Sequence, residues 1–225
     1  MLYFNFLAVI MIGYVLGSIP FGLIVSRYLA NKDLRQFGSG KIGATNVLRT
    51  AGKKAAALSV ICDVLKGFIP VMLAGYIFGD ELLVVGSVGI GADLAQVFAG
   101  LAAIAGHNWS VFLKFKGGRG VATFFGGLLA ICPPAAIIGG EALLVAAGLT
   151  RFASFGSIIG VVTAYVVMVP LTVVYHFPLA YLAYTLIGSI TIVIMHKDNI
   201  ARLVSGTERK IGEKARQVPS PETGT

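Results

Sequence analysis

Apolar residues run along this chain in long unbroken blocks separated by short polar segments. Neither the alternation of a half-buried strand nor the 3.6-residue stripe of a surface helix dominates. From Met1 to Ser26 no charged residue occurs, and the first cation is Arg27. A cleaved leader would carry a basic start and a shorter apolar core, so this stretch reads as a retained membrane helix. Blocks approaching the ~20 residues that a bilayer-spanning helix needs fall at Phe4–Val25, Ala55–Phe78, Leu82–Ala105, Phe155–Tyr175 and Phe177–Met195. Two shorter blocks, Val121–Ile138 and Gly140–Thr150, lie between Arg119 and Arg151. Two full crossings there would need about 40 residues, so they read as two short helices or one re-entrant hairpin. Pro133, Pro134, Gly139 and Gly140 break the helical pattern in this region. The expected fold is an all-α integral membrane protein of about seven transmembrane helices, some short.

Composition agrees. Of 225 residues 56% are hydrophobic and only 12% charged, against about a quarter charged in soluble domains. The net charge of +8 would suggest nucleic acid on a soluble protein, but no aromatic-plus-basic motif accompanies it. All but one of the 18 Lys and Arg residues sit in four polar segments, 27–54, 114–119, Arg151 and the stretch after His196. The exception is Lys66. The remaining connections carry only Asp80, Glu81 and Glu141. Positive-inside bias places the four basic segments in the cytoplasm, with the N-terminus outside and the C-terminus cytoplasmic. Residues 1–212 read as one membrane-embedded domain and 213–225 as a flexible polar tail. Cys62 and Cys132 lie in apolar blocks without metal-ligand spacing and read as buried small hydrophobes. Asp63, Lys66 and Asp93 fall within apolar blocks. Such charges normally face the bundle interior and pair. Asp63 and Lys66, three apart, share a helix face.

The chemistry lies in the basic segments. The first contains Gly38-Ser39-Gly40-Lys41-Ile42-Gly43-Ala44-Thr45-Asn46-Val47-Leu48-Arg49. Glycines let backbone N–H groups approach an anion. Ser39, Thr45 and Asn46 offer bonds to oxygen, and Arg49 can hold a phosphate through two parallel bonds. The second runs from Gly106-His107-Asn108-Trp109 through Lys116-Gly117-Gly118-Arg119-Gly120 into Val121-Ala122-Thr123. A glycine-rich loop feeding a helix N-terminus is an anion cradle. The Walker A spacing is missing, so phosphate is implied but not a nucleotide. Arg151–Ser157 is the third segment. The fourth holds His196-Lys197-Asp198-Asn199-Ile200 and Gly206-Thr207-Glu208. The acyltransferase pattern of His, four residues and Asp is absent, because Phe112, Tyr181 and Ala201 stand five positions after the three histidines. No Gly-x-Ser-x-Gly elbow with a matching triad occurs. A transporter would suit basic loops and buried charges, but alternating access favours a midplane site between internal repeats, and the sequence shows no repeat.

Taken in order, these motifs resemble those of the bacterial acyl-phosphate-dependent glycerol-3-phosphate acyltransferase family, PlsY, from about Gly17 to Gly212. Lys41 stands where that family often has Asn, Arg119 where it often has Lys, and Ala153 in place of a frequent Ser. The resemblance implies acyl transfer from acyl phosphate to the 1-hydroxyl of glycerol 3-phosphate. Lysophosphatidic acid and phosphate would be the products, formed at the cytoplasmic face of the bacterial inner membrane as the first step of phospholipid synthesis. It implies Ser39, Arg49, His196 and Asn199 as catalytic residues. Lys116 with Gly117, Gly118, Arg119 and Gly120 would bind donor phosphate, Asn46, Thr123 and Ser154 would assist, and Glu208 would be structural. No cofactor, metal, nucleic acid or obligate protein partner is expected, and membrane lipid is the surroundings.

Overall fold

The computed structural model describes residues 1–86 and 88–213. Of the expected polar tail, residues 214–225 lie outside the described residues. Helices α1 (Leu2–Ser18) and α2 (Phe21–Ala30) form one 29-residue apolar stretch broken at Ile19–Pro20. The break is local chemistry: a proline disfavours helical geometry at the residue before it, and Ile19 is extended, with ψ 119°. A short amphipathic helix, α3 (Ala44–Ala51), follows. Gly52, at φ 89°, turns the chain into α4 (Lys53–Phe78). Next come a hairpin of β1 (Leu83–Val85) and β2 (Val88–Ile90), then α5 (Ala92–Asn108), α6 (Val121–Ile131), α7 (Pro133–Thr150), α8 (Ala153–Val173), α9 (Leu179–Met195) and α10 (Lys197–Val204). The last two helices meet at His196 with a 60° bend.

Among the described residues four stretches are long and apolar enough to cross a bilayer, namely α1–α2, α4, α7 and α8, and α9 is the apolar arm of a fifth candidate, the α9–α10 pair. Three expectations change. The block Leu82–Ala105 is not one helix: its β-branched start pairs as the hairpin, Leu83 opposite Ile90, with Gly86 at φ 61°. The fold is therefore helical with one small sheet, and Asp93 lies in the first turn of α5, where a carboxylate complements the helix dipole. The fourth and fifth blocks divide at Cys132, not at the glycine pair. Pro133 starts α7, a position proline tolerates because its N–H would be unpaired there anyway, while Gly139, Gly140 and Glu141 are inside α7. At 1.5 Å per residue α6 spans about 16 Å, roughly half a hydrocarbon layer, and α7 about 27 Å.

With lipid outside, helix association relies on close packing and small residues. The contacts follow that rule. A Cβ on Gly17 would lie 2.2 Å from the Ala103 carbonyl oxygen, and one on Gly126 2.0 Å from that of Val64, joining α1 to α5 and α4 to α6. Gly139 and Gly160 do the same between α7 and α8. At the centre Phe124 and Tyr184 stack with ring centroids 5.5 Å apart, and the Tyr184 hydroxyl donates to the Phe124 carbonyl. The large apolar side chains left exposed, such as Leu7, Leu144, Leu149 and Val173, line the outside of the bundle.

Two glycine substitutions test this packing. Gly17→Val should destabilise the detergent-solubilised protein by about 2 kcal/mol or more through overpacking. Gly140→Ala, with nothing within 4 Å of the new Cβ, should leave the melting temperature unchanged or raise stability by up to about 1 kcal/mol. Thermal unfolding of the two variants reads the contrast.

Candidate active site

The first loop is built around two polar side chains. Asp33 accepts from Arg27 at 2.6 Å and Arg35 at 2.7 Å, and the Arg35 bond above all holds its carboxyl well below the usual range. Leu34 is fully buried beneath this turn. The buried Asn46 amide donates towards the carbonyls of Leu34, Phe37 and Lys41 at 2.9–3.2 Å, and its Oδ1 faces the Ser39 N–H at 3.4 Å. Asn46, expected at phosphate, is thus occupied in shaping the loop. Ser39 is left exposed at its tip between Gly38 and Gly40, both in the left-handed region. One helix further, Arg49 donates to the carbonyls of Arg209 and Lys210 at 2.9 and 3.1 Å, while its buried Nε has no partner among the described residues. Burial lowers its pKa, and Arg209 adds to the effect.

The second loop folds back on the end of α5. Gly117 and Gly118 donate their N–H groups to the carbonyls of Asn108 and His107, so these two amides cap α5. Side chains are excluded there, since a Cβ on Gly118 would lie 2.1 Å from His107 Nε2. Gly120, at φ 78°, then opens α6, whose first main-chain bond joins the Phe124 N–H to the Gly120 carbonyl. The amides of Val121, Ala122 and Thr123 are therefore the helix's free N-terminal donors, and the buried Thr123 hydroxyl has no partner among the described residues. Arg119 stands beside them without a hydrogen bond or ion pair among the described residues. Burial lowers its pKa to about 10, with Glu208 opposing. Lys116 is exposed at the rim.

The third and fourth segments meet at one carboxylate. Glu208 Oε1 accepts from Ser154 Oγ at 2.9 Å and Asn199 Nδ2 at 2.6 Å, and Oε2 accepts from Arg202 Nε at 2.7 Å. Burial alone would raise its pKa, but the three donors, Asn199 foremost, bring it below the ordinary glutamate value. The stabilisation is thus present at neutral pH and lost as pH falls through the folded pKa. Arg151 binds the same segment, its carbonyl accepting from the Ile211 N–H and its guanidinium donating to the Ile211 carbonyl. His196 is buried at the bend, with Nδ1 2.8 Å from the Ile192 carbonyl. That contact places the proton on Nδ1 and leaves Nε2 as an acceptor. Burial, helped by Arg119, lowers its pKa to about 4.

Arg49 ties the first segment to the fourth through the carbonyls of Arg209 and Lys210, Arg151 and Ser154 tie the third to it, and Arg119 of the second lies near enough to Glu208 and Arg202 to feel their charges. All four polar segments therefore converge at one end of the bundle, so α6 and α7 leave from that end and return to it. Ser39 and Lys116 stand at the rim, while Asn46, Ser154 and Glu208 make their hydrogen bonds within the protein. Sequence reasoning missed Arg202, because the turn at Gly206 (φ 70°) brings Glu208 back onto it. It also left Asn108 without a role. That side chain is buried against Gly120 with both amide atoms unpartnered among the described residues. Asp63 and Lys66 pair as expected, at 2.9 Å.

The family model for "Glycerol-3-phosphate acyltransferase" matches residues 7–206. "Glycerol-3-phosphate acyltransferase 3" of Dehalococcoides mccartyi (strain CBDB1) is 58% identical over 96% of this chain and 100% of its own length. The glycerol-3-phosphate acyltransferase of Bradyrhizobium diazoefficiens is 41% identical over 92% of this chain and 95% of its own. Among solved structures, PlsY, an integral membrane glycerol 3-phosphate acyltransferase, matches in its glycerol 3-phosphate form with a TM-score of 0.79 and 35% identity. That match covers 92% of this chain and 96% of the PlsY chain. The form described as that of lysophosphatidic acid matches with a TM-score of 0.78 and 34% identity, over 92% and 95% of the two chains. Fold, motif order and near full-length identity agree that this multi-pass membrane chain belongs to the glycerol-3-phosphate acyltransferase family.

Proposed function

We propose that the protein transfers a fatty acyl group from acyl phosphate to the 1-hydroxyl of glycerol 3-phosphate, releasing lysophosphatidic acid and inorganic phosphate. The observation that carries this reading is a pair of cationic seats, Arg119 at the free end of α6 and Arg49 on α3, sharing one end of the bundle with a neutral histidine. Two phosphates must meet at one carbonyl, and their repulsion has to be cancelled. The donor phosphate takes the α6 amides with Arg119 and Lys116, and its chain stays in lipid. The phosphate of the acceptor takes Arg49 and Ser39, with Asn46 holding Ser39 in place. The site faces the cytoplasm of a bacterial inner membrane, the N-terminus lies outside, and α6–α7, as two short crossings or one re-entrant hairpin, keeps both its ends on the cytoplasmic side.

The reaction needs no covalent enzyme intermediate, because acyl phosphate is already a mixed anhydride. The acceptor oxygen bonds to the carbonyl carbon, the oxyanion collapses, and the carbon–oxygen bond to phosphate breaks. His196 Nε2 accepts the hydrogen bond of the attacking hydroxyl and aims it. Burial disfavours a charged imidazolium, whereas the phosphate that breaks away would carry a full extra negative charge, so the proton of the attacking hydroxyl passes to that phosphate as it leaves. Positioning and electrostatic stabilisation supply most of the acceleration. Glu208, Ser154 and Arg202 keep Asn199 and the bend at His196 in place.

Purified protein in detergent should release phosphate only when acyl phosphate and glycerol 3-phosphate are both present, and acyl-CoA should not replace the donor. Release without acceptor, or solute uptake into vesicles in place of turnover, would sink the reading. Arg119→Ala should lower kcat/KM for acyl phosphate about 100-fold, and Arg49→Ala that for glycerol 3-phosphate by a similar factor, as expected for losing a charged hydrogen bond of about 3 kcal/mol. Because burial keeps His196 neutral down to about pH 4 in the free enzyme, its protonation should not shape kcat/KM between pH 5.5 and 8. Any limb near pH 6–7 should appear alike in wild type and in His196→Gln, whose rate is lower throughout.

A further inference from the structure

Asp63 and Lys66 lie one turn apart on α4 in the interior of the bundle, and the acyl-transfer scheme uses neither. Their side chains are 3% and 2% exposed, and their charged atoms are 2.9 Å apart. A buried ion pair returns little net stability for the desolvation it requires, so its presence points to a task. Its neighbours show which. Lys66 Nζ also donates to the Ile19 carbonyl at 2.9 Å, at the break between α1 and α2. Asp63 Oδ1 is 3.7 Å from Nδ1 of the buried His107. The other ring nitrogen of His107 faces Gly118, so closely that a Cβ there would be 2.1 Å away, and the His107 carbonyl accepts the Gly118 N–H at 3.0 Å. On the far side of the same loop Gly67, next to Lys66, packs against Thr123, whose carbonyl oxygen would be 2.0 Å from a Cβ on Gly67.

We infer that Asp63, Lys66 and His107 form one positioning unit that sets the segment Gly117–Thr123, and with it Arg119 and the free amides of α6, for the donor phosphate. This rests on the reading that the donor phosphate sits there. The Asp63 carboxylate faces the His107 ring at 3.7 Å without a hydrogen bond, the ring bears on Gly118, and α4 backs the first turn of α6, so charge and packing brace both ends of the segment. A neutral pair suits the position, because it braces the loop without adding a net charge to compete with Arg119. None of the three touches substrate; they act through the loop.

The test uses the full chain in detergent with two readings. His107→Ala should speed amide hydrogen exchange in 117–123 about tenfold or more while leaving 153–173 unchanged. It should also raise KM for acyl phosphate about tenfold or more, with KM for glycerol 3-phosphate held within about twofold. Adding Asp63→Asn to His107→Ala should cause little further loss, since residues acting through one contact are not additive. If single charge removal prevents folding, the joint Asp63→Asn/Lys66→Met variant, which buries no lone charge, should show the same selective donor effect. Unchanged exchange in 117–123, equal rises in both KM values, or full additivity of the Asp63 and His107 effects would overturn the inference. The exchange reading needs no substrate. A wild-type protein silent towards acyl phosphate but with a His107-dependent loop would overturn the donor reading and leave the positioning unit standing.

Discussion

The carboxylate of Glu208 holds the functional end of this protein together. One anion, its side chain 6% exposed, receives hydrogen bonds from α8 through Ser154 and from α10 through Asn199 and Arg202. Without those donors a buried carboxylate would be strongly unfavourable. With them it fixes the chain after Gly206 against two helices, α8 and α10. Arg49 and Arg151 then bind main-chain carbonyls of that same chain. Segments separated by more than 150 residues thereby share one surface.

Around that anion, among the described residues, gather Arg49, Arg119 and Arg202. Arg119 has no ion-pair partner among the described residues, and Arg49 is bound to carbonyls, which offer partial charge only. A cation in such surroundings gains most from an arriving phosphate, since the interaction is little screened. His196 shows the converse: burial and the nearby Arg119 lower its pKa, so it offers a lone pair without adding positive charge.

Much of the fold was legible because lipid imposes simple rules. Long apolar blocks had to be helices, since unsatisfied main-chain groups cannot face hydrocarbon, and α4, α8 and α9 fall close to where the blocks placed them. The errors came where length and hydropathy are silent. A β-branched apolar run such as Leu82–Ile90 satisfies a hydropathy window equally well as half of a helix or as a hairpin. Two prolines and two glycines between Arg119 and Arg151 offered two break points, and only packing against α8 shows that Gly139 serves helix contact, that Gly140 lies open within the same helix and that Pro133 starts it.

The sequence by itself determined the medium, the one-sided distribution of cations and the chemistry of the motifs, because these depend on residue type and local order. Tertiary structure decided the division of labour within them. Asn46, Ser154, Gly117 and Gly118 look like phosphate ligands in a string of letters, yet their polar groups are consumed by a loop, a carboxylate and a helix end. Arg119 and the first amides of α6 remain as donors. Whether a hydrogen-bonding group is free depends on what the rest of the chain brings within 3 Å of it, and that distance is not written in local sequence.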